Sequence, residues 1–248
     1  MDQFLLTPSM GKRLIARALA AYPPVQAAMK KGRLVIVAGT TNGYVAEEIL
    51  CAVGQADGFN REGFRRGLVT PPGTPAPQAE FPGDVVLTDG VWQKGQTIFD
   101  VAAQLGSGDV ILKGANALDL SRRVAAVYIA HEQCGTAGAV VPAVVGRRAR
   151  LIVPVGLEKR VDGDLHELAA LVNDHACRGP RLLVLPGEVF TELEAMEQLS
   201  GCRCRLVAGG GVHGAEGCVF ILAQGTQQQL LAAKALVDSL GPQPPCQV

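Results

Sequence analysis

The sequence predicts an α/β protein: a doubly wound, mainly parallel sheet over residues 1–162, followed by a smaller α+β unit of ferredoxin-like order over 163–248. Three observations carry that expectation. Short apolar runs, RLVIV, DVVLTDG, DVILKGAN and RLIVPVG, alternate with stretches whose apolar residues recur at helical spacing, the pattern of βα units. The runs end in glycine and polar residues, where such sheets place their ligands. Beyond Asp162 the order changes to strand, helix, strand, strand, helix, that of a small α+β unit.

Composition narrows the function classes. At 248 residues the chain can bury one full core plus a companion. Acids and bases balance at 23 each, and no basic block or aromatic set advertises a nucleic-acid partner. No apolar run reaches membrane length, and MDQFLLTPSMGKRL lacks the long apolar core of a signal peptide; the expectation is a cytoplasmic protein with no membrane partner. Seven cysteines form no CxxC pair and no zinc spacing with histidine, so no disulfide framework, metal site or cofactor is expected. Most suit buried positions. Cys134, beside His131 in HEQCGTAG, could also serve as an activated nucleophile.

Taken in order, Ser9 to Lys31 reads as helix interrupted at Pro23 and Pro24, with Leu14, Ile15, Ala18 and Leu19 on one face. Leu34–Val37 reads as the central strand. It breaks at Gly39 into Thr40, Thr41, Asn42 and Gly43, and a helix follows to about residue 52. Glycines, hydroxyls and the free N–H groups of a first helical turn favour an anion there, although a capped turn without ligand would use the same residues. The Pro/Gly-rich excursion from Val53 to Gly83 is either disordered or a lid, with Arg61, Arg65 and Arg66 to close on an anion, although a solvated loop face would use the same residues. Strands are expected at 84–90, 109–116, 124–130 and 150–156, with helices at 97–105 and 139–147. The second unit begins with a helix at 162–179, then a strand, a helix from Thr191 as cap, two strands and a final helix at 227–240. Its glycine-rich segment 209–217 is a hairpin connection or a loop bringing His213 and Glu216 over the main site. Such small units also build oligomer contacts, so a homo-oligomer is compatible with this organisation. The closing GPQPPCQV reads as a frayed tail.

The order of the strand ends, VAGTTNGYVAEEIL, then TDG, then LKGANAL, then LIVPVGLEKRVD, resembles the sugar isomerase and CoA transferase superfold, ribose-5-phosphate isomerase type A in particular. The likeness covers about residues 10 to 162. It implies that Gly39, Thr40, Thr41, Asn42 and Gly43 face a phosphorylated ligand, that Asp89 and Gly90 line the site, and that Lys113, Gly114 and Asn116 lie beside the sugar. Glu158 and Lys159 fall on the last motif. The glutamate base of the isomerases is absent, and Asp119 is the nearest substitute. The resulting expectation is a binder of a small, phosphorylated anionic metabolite, with Asp89, Lys113 and Asp119 as catalytic candidates if it is an isomerase-like enzyme. A non-catalytic metabolite-binding or regulatory protein of the same fold, and a CoA-ester enzyme, are the alternatives. Asp89 and Lys113 are expected to be neighbours.

Overall fold

The computed structural model describes residues 1–67, 69–70, 72–74 and 80–243; part of the 53–83 excursion, and residues 244–248 of the expected frayed tail, including Cys246, lie outside the described residues. Strand β1 (Asp2–Leu6) leads to helix α1 (Pro8–Ala20), where Thr7 accepts from the Met10 N–H and Pro8 takes the first helical position. The expected apolar face, Leu14, Ile15, Ala18 and Leu19, is fully buried. Helix α2 (Pro23–Lys30) restarts after the proline pair. Strand β2 (Arg33–Ile36), helix α3 (Thr40–Ala52), strands β3 (Val85–Thr88) and β4 (Val91–Trp92), short helix α4 (Ile98–Val101) and strand β5 (Val110–Leu112) come next. Strands β6 (Ala117–Asp119) and β7 (Val124–Ile129), helix α5 (Gly135–Val141) and strand β8 (Arg150–Pro154) continue the chain. Then follow α6 (Leu165–Val172), β9 (Arg181–Val184), β10 (Glu188–Phe190), α7 (Glu192–Ser200), β11 (Arg203–Gly209), β12 (Val219–Gln224) and α8 (Gln227–Leu240). Thr191 caps α7 in a reciprocal box with Glu194, and Gly201 closes it in the left-handed conformation at φ 74°.

The architecture is mixed α/β. One sheet has six strands in the order β10-β8-β5-β2-β3-β4. The first four run parallel, with Ile36 beside Leu112 and Leu112 beside Ile152. Strands β3 and β4 reverse: Arg33 pairs with Thr88 and Ile36 with Val85. This corrects the expectation of parallel direction for the strand at 84–90. The excursion after α3 carries the chain back to the carboxyl edge of β2 before β3 begins, so β3 runs down the sheet. Val124–Ile129 leaves the main sheet altogether, forming an antiparallel sheet in the order β6-β7-β9.

The ferredoxin-like pairing expected for the C-terminal unit is not formed. β11 and β12 pair with each other, and the third strand of their sheet is β1. β9 pairs with β7 and β10 with β8, so strand pairs cross residue 162 at all three sheets. The principal core packs β2, β3, β5 and β8 against α1 and α3, while Ala117, Ala126, Leu165, Ala169 and Leu182 form a small cluster under α6. Each fully buried Leu, Ile or Val stabilises by roughly 1.5–3 kcal/mol. The core thus holds the carboxyl ends of β2, β5, β8 and β10 in one rigid row.

Candidate functional site

The row begins where β2 passes into α3. Val37 N donates to Leu112 O at 2.9 Å, and Asn42 Nδ2 donates to Val37 O and Leu112 O at 2.7 and 3.0 Å. Asn42 therefore clamps the ends of two strands, a structural role for its amide nitrogen. Gly43 is also structural: a Cβ there would meet Arg61 Cγ at 2.8 Å. Gly39 is different. Its φ of 173° is open to any residue, and a Cβ would meet nothing within 4 Å. The space before the first turn of α3 is clear, with Thr40 half-buried beside it. Thr41 is buried, and its Oγ1 has no hydrogen-bond partner among the described residues.

Next along the row stands a carboxylate that the sequence reading passed over. Asp84, fully buried, precedes β3 at the carboxyl edge because β3 is reversed. Its Oδ1 accepts from Ala38 N at 2.9 Å and its Oδ2 from Ile98 N at 2.8 Å. Arg66 Nη2 reaches Oδ2 at 2.8 Å, with its guanidinium over the Phe81 and Phe99 rings. The described part of the excursion is thus anchored, Arg61 likewise pairing with Glu47 and stacking over Tyr44. Lys113 follows β5 and is 7% exposed. Its Nζ donates to Thr136 Oγ1 at 2.9 Å, and among the described residues no carboxylate lies within ion-pair distance of it. Burial draws the Lys113 pKa down to about 8; Asp84 opposes the shift and Arg66 adds to it.

Asp89 is not beside Lys113. It lies at the opposite end of the sheet, with its Oδ1 accepting from Gly32 N at 2.9 Å, and Gly90 lies there too, its carbonyl accepting from Gln55. The reversal of β3 exchanges the two ends of this strand, so Asp84 occupies the place expected of Asp89. Asp119 is equally unsuited to act as a base. It accepts from Arg122 N, Ser121 Oγ and the Arg122 guanidinium, which hold its carboxyl below the usual range. Asn116 organises the β6–β7 hairpin, its Oδ1 accepting from Tyr128 N at 3.0 Å. Gly114 stays in the row, near Pro154 O, and Lys159 Nζ donates to Ala115 O at 2.8 Å.

At the far end of the row, after β8 and β10, Glu158, Glu192 and Lys12 meet. Glu192 is 1% exposed; its Oε2 accepts from Leu157 N at 2.9 Å. Lys12 Nζ stands 3.9 Å from Glu158 Oε1. Burial, reinforced by the Glu158 charge, pushes the Glu192 pKa up to about 8. Gly11 makes the room, since a Cβ there would come within 2.4 Å of Glu192 Oε1. Glu192 was legible only as the residue after a cap in TELE. The glycine-rich segment reaches this end: Gly217 abuts Pro8 and Glu158, while His213 and Glu216 are exposed.

Two other candidates offer less. His131 Nδ1 accepts from Gln133 N at 3.1 Å, and no side-chain bond joins His131 to Cys134 among the described residues. A concavity of about 860 Å³ lies near the amino end of β8, but its rim cations Arg123 and Arg150 are paired with Glu194 and Glu188. Among the described residues no helix is long and apolar enough to cross a membrane, and no group of three or more His, Cys, Asp or Glu could hold a metal ion. No protein-family model, curated protein or solved structure matches the chain.

Proposed function

We propose that this protein binds a small, phosphorylated anionic metabolite at the carboxyl edge of its six-stranded sheet. One observation carries the proposal: Arg66 and Lys113 flank a single carboxylate, Asp84, which is already bonded to Ala38 N and Ile98 N. Lys113 has no carboxylate at ion-pair distance among the described residues, and its positive charge, in a largely desolvated place, is costly until an anion meets it. The clear space at Gly39 and the positive end of α3 lie on the same strand-end row. The order of strand-end motifs, like that of the sugar isomerase and CoA transferase superfold, supports the same reading.

The isomerase reaction itself has less support, because Asp119 is fully engaged and Asp89 lies at the other end of the sheet. A metabolite-binding protein needs neither. The enzyme reading rests instead on Glu192, buried beside Glu158 and held neutral, as a group able to exchange a proton near pH 7. Calorimetry with inorganic phosphate, ribose 5-phosphate and CoA tests the binding claim. The Lys113→Met variant, checked for folding by circular dichroism, should bind phosphate at least about tenfold more weakly, as expected for one lost charge-assisted hydrogen bond. Equal affinity in the variant and the parent would refute the site.

A further inference from the structure

We propose that Lys113 is an amine nucleophile that forms an imine with a phosphorylated aldehyde or ketone bound at this edge. The proposal rests on the anion site above and adds to it a covalent chemistry. Its basis is geometric. The Lys113 ammonium is enclosed by the core, follows a central strand, and lacks a carboxylate at ion-pair distance among the described residues. Among the described residues the carboxylate that acts on it, Asp84, is taken up by Arg66 and two backbone N–H groups. A lysine desolvated beside a second cation is the environment that releases a neutral amine. With burial drawing the pKa down to about 8, a larger share of Lys113 is neutral at pH 7 than of an ordinary lysine.

The hydroxyl of Thr136, 2.9 Å from Nζ, is placed to relay the proton. The neutral amine adds to the carbonyl carbon, forming the C–N bond, and its proton passes through Thr136 to the former carbonyl oxygen. The carbinolamine takes a second proton, the C–O bond breaks, and the oxygen leaves as water while the nitrogen lone pair closes the C=N bond. Overall an ammonium and a carbonyl give a protonated imine and one water, so atoms and charge balance and no oxidant is required. Arg66 and the first turn of α3 hold the phosphate.

Reductive trapping tests this on the unmodified chain. The protein is incubated with glycolaldehyde phosphate and sodium cyanoborohydride at neutral pH, digested and mapped by mass spectrometry, with glycolaldehyde as the comparison. The expected result is one adduct per chain, at Lys113. It should form on the order of tenfold faster than at the exposed Lys30, Lys31, Lys94 or Lys234, and inorganic phosphate should suppress it. Lys113→Arg, which keeps a cation but has no primary amine, should lose the adduct. Labelling of the exposed lysines without Lys113 overturns the imine. So does labelling of Lys113 that glycolaldehyde matches and phosphate does not suppress. If phosphate binds in calorimetry and no adduct forms, the anion site stands and the nucleophile falls; if phosphate does not bind, both fall.

Discussion

The two ends of the strand-end row hold clusters of the same size and opposite composition. At one end Asp84 stands between Arg66 and Lys113; at the other Lys12 stands with Glu158 and Glu192. Each has one charge too many, and each resolves it differently. Asp84 is met by two backbone N–H groups and the Arg66 guanidinium, and the excess charge falls on Lys113, where the proposed ligand would meet it. Glu192 is desolvated by burial and has the Glu158 charge beside it, and these outweigh two backbone N–H groups, its own and that of Leu157, so the excess is removed by a proton. The difference lies in where the cation sits: Arg66 bonds the central carboxylate of the first cluster, whereas Lys12 of the second pairs with Glu158.

Removing the central carboxylate should have the largest effect. Asp84→Asn keeps the shape but leaves Arg66 and Lys113 without a counter-charge, and should destabilise by about 3–5 kcal/mol. Urea denaturation measures it, and a loss below 1 kcal/mol would mean that the cluster is not electrostatically closed around Asp84. Filling the clearance beside Glu192 comes next. Gly11→Ala places a methyl 2.4 Å from its Oε1, and overpacking of this kind costs about 1–3 kcal/mol. The Gly11→Ala, Glu192→Ala double variant should recover part of that loss.

The pH dependence sharpens the comparison, because the two clusters act in opposite directions. Glu192 is raised from 4.5 to about 8 in the folded chain. Its contribution is therefore fully present below the unfolded value and declines as pH rises towards 8. Lys113 is lowered from 10.5 to about 8, so its contribution is restored as pH rises from 8 towards 10.5. Glu192→Gln should flatten the lower limb of the stability profile and leave the upper one; Lys113→Met should do the reverse. Chemical melts at successive pH values separate them, and coincident profiles would remove both assignments. Phosphate affinity should also decline above pH 8, as the ammonium is lost.

The smallest change in stability is expected at Gly39→Ala, within about 0.5 kcal/mol. Its backbone is extended and its surroundings are clear. If the anion occupies that space, calorimetry should show phosphate binding weakened even though the melt is unchanged. Parental affinity in this variant would place the anion away from the α3 turn.

What could be read in the sequence was whatever one segment determines. The strand-to-helix turn at Gly39, the buried face of Leu14 to Leu19, the Thr191 cap and the place of Lys113 after its strand all follow from local spacing and capping. Strand direction does not. DVVLTDG has an acid at each end, and only the path of the chain through 53–83 decides which of them, Asp84 or Asp89, faces the row. Glu192 was hidden for the same reason: its environment comes from α1 and the turn after β8, far away in sequence.

The pairing of β1 with β12 bears on how the molecule is made. Leu6 lies opposite Val219, and Asp2 opposite Ala223, so β1 must wait for a strand synthesised some two hundred residues later. Until then its edge is unpaired, and until Glu192–Ser200 has followed, the buried face of α1 has no α7 to cover it. Chain elongation at roughly 5–20 residues per second makes that wait tens of seconds. A nascent chain stalled after β10 should therefore be protease-sensitive at Asp2–Leu6, and protection there should arrive only once β12 has cleared the exit tunnel.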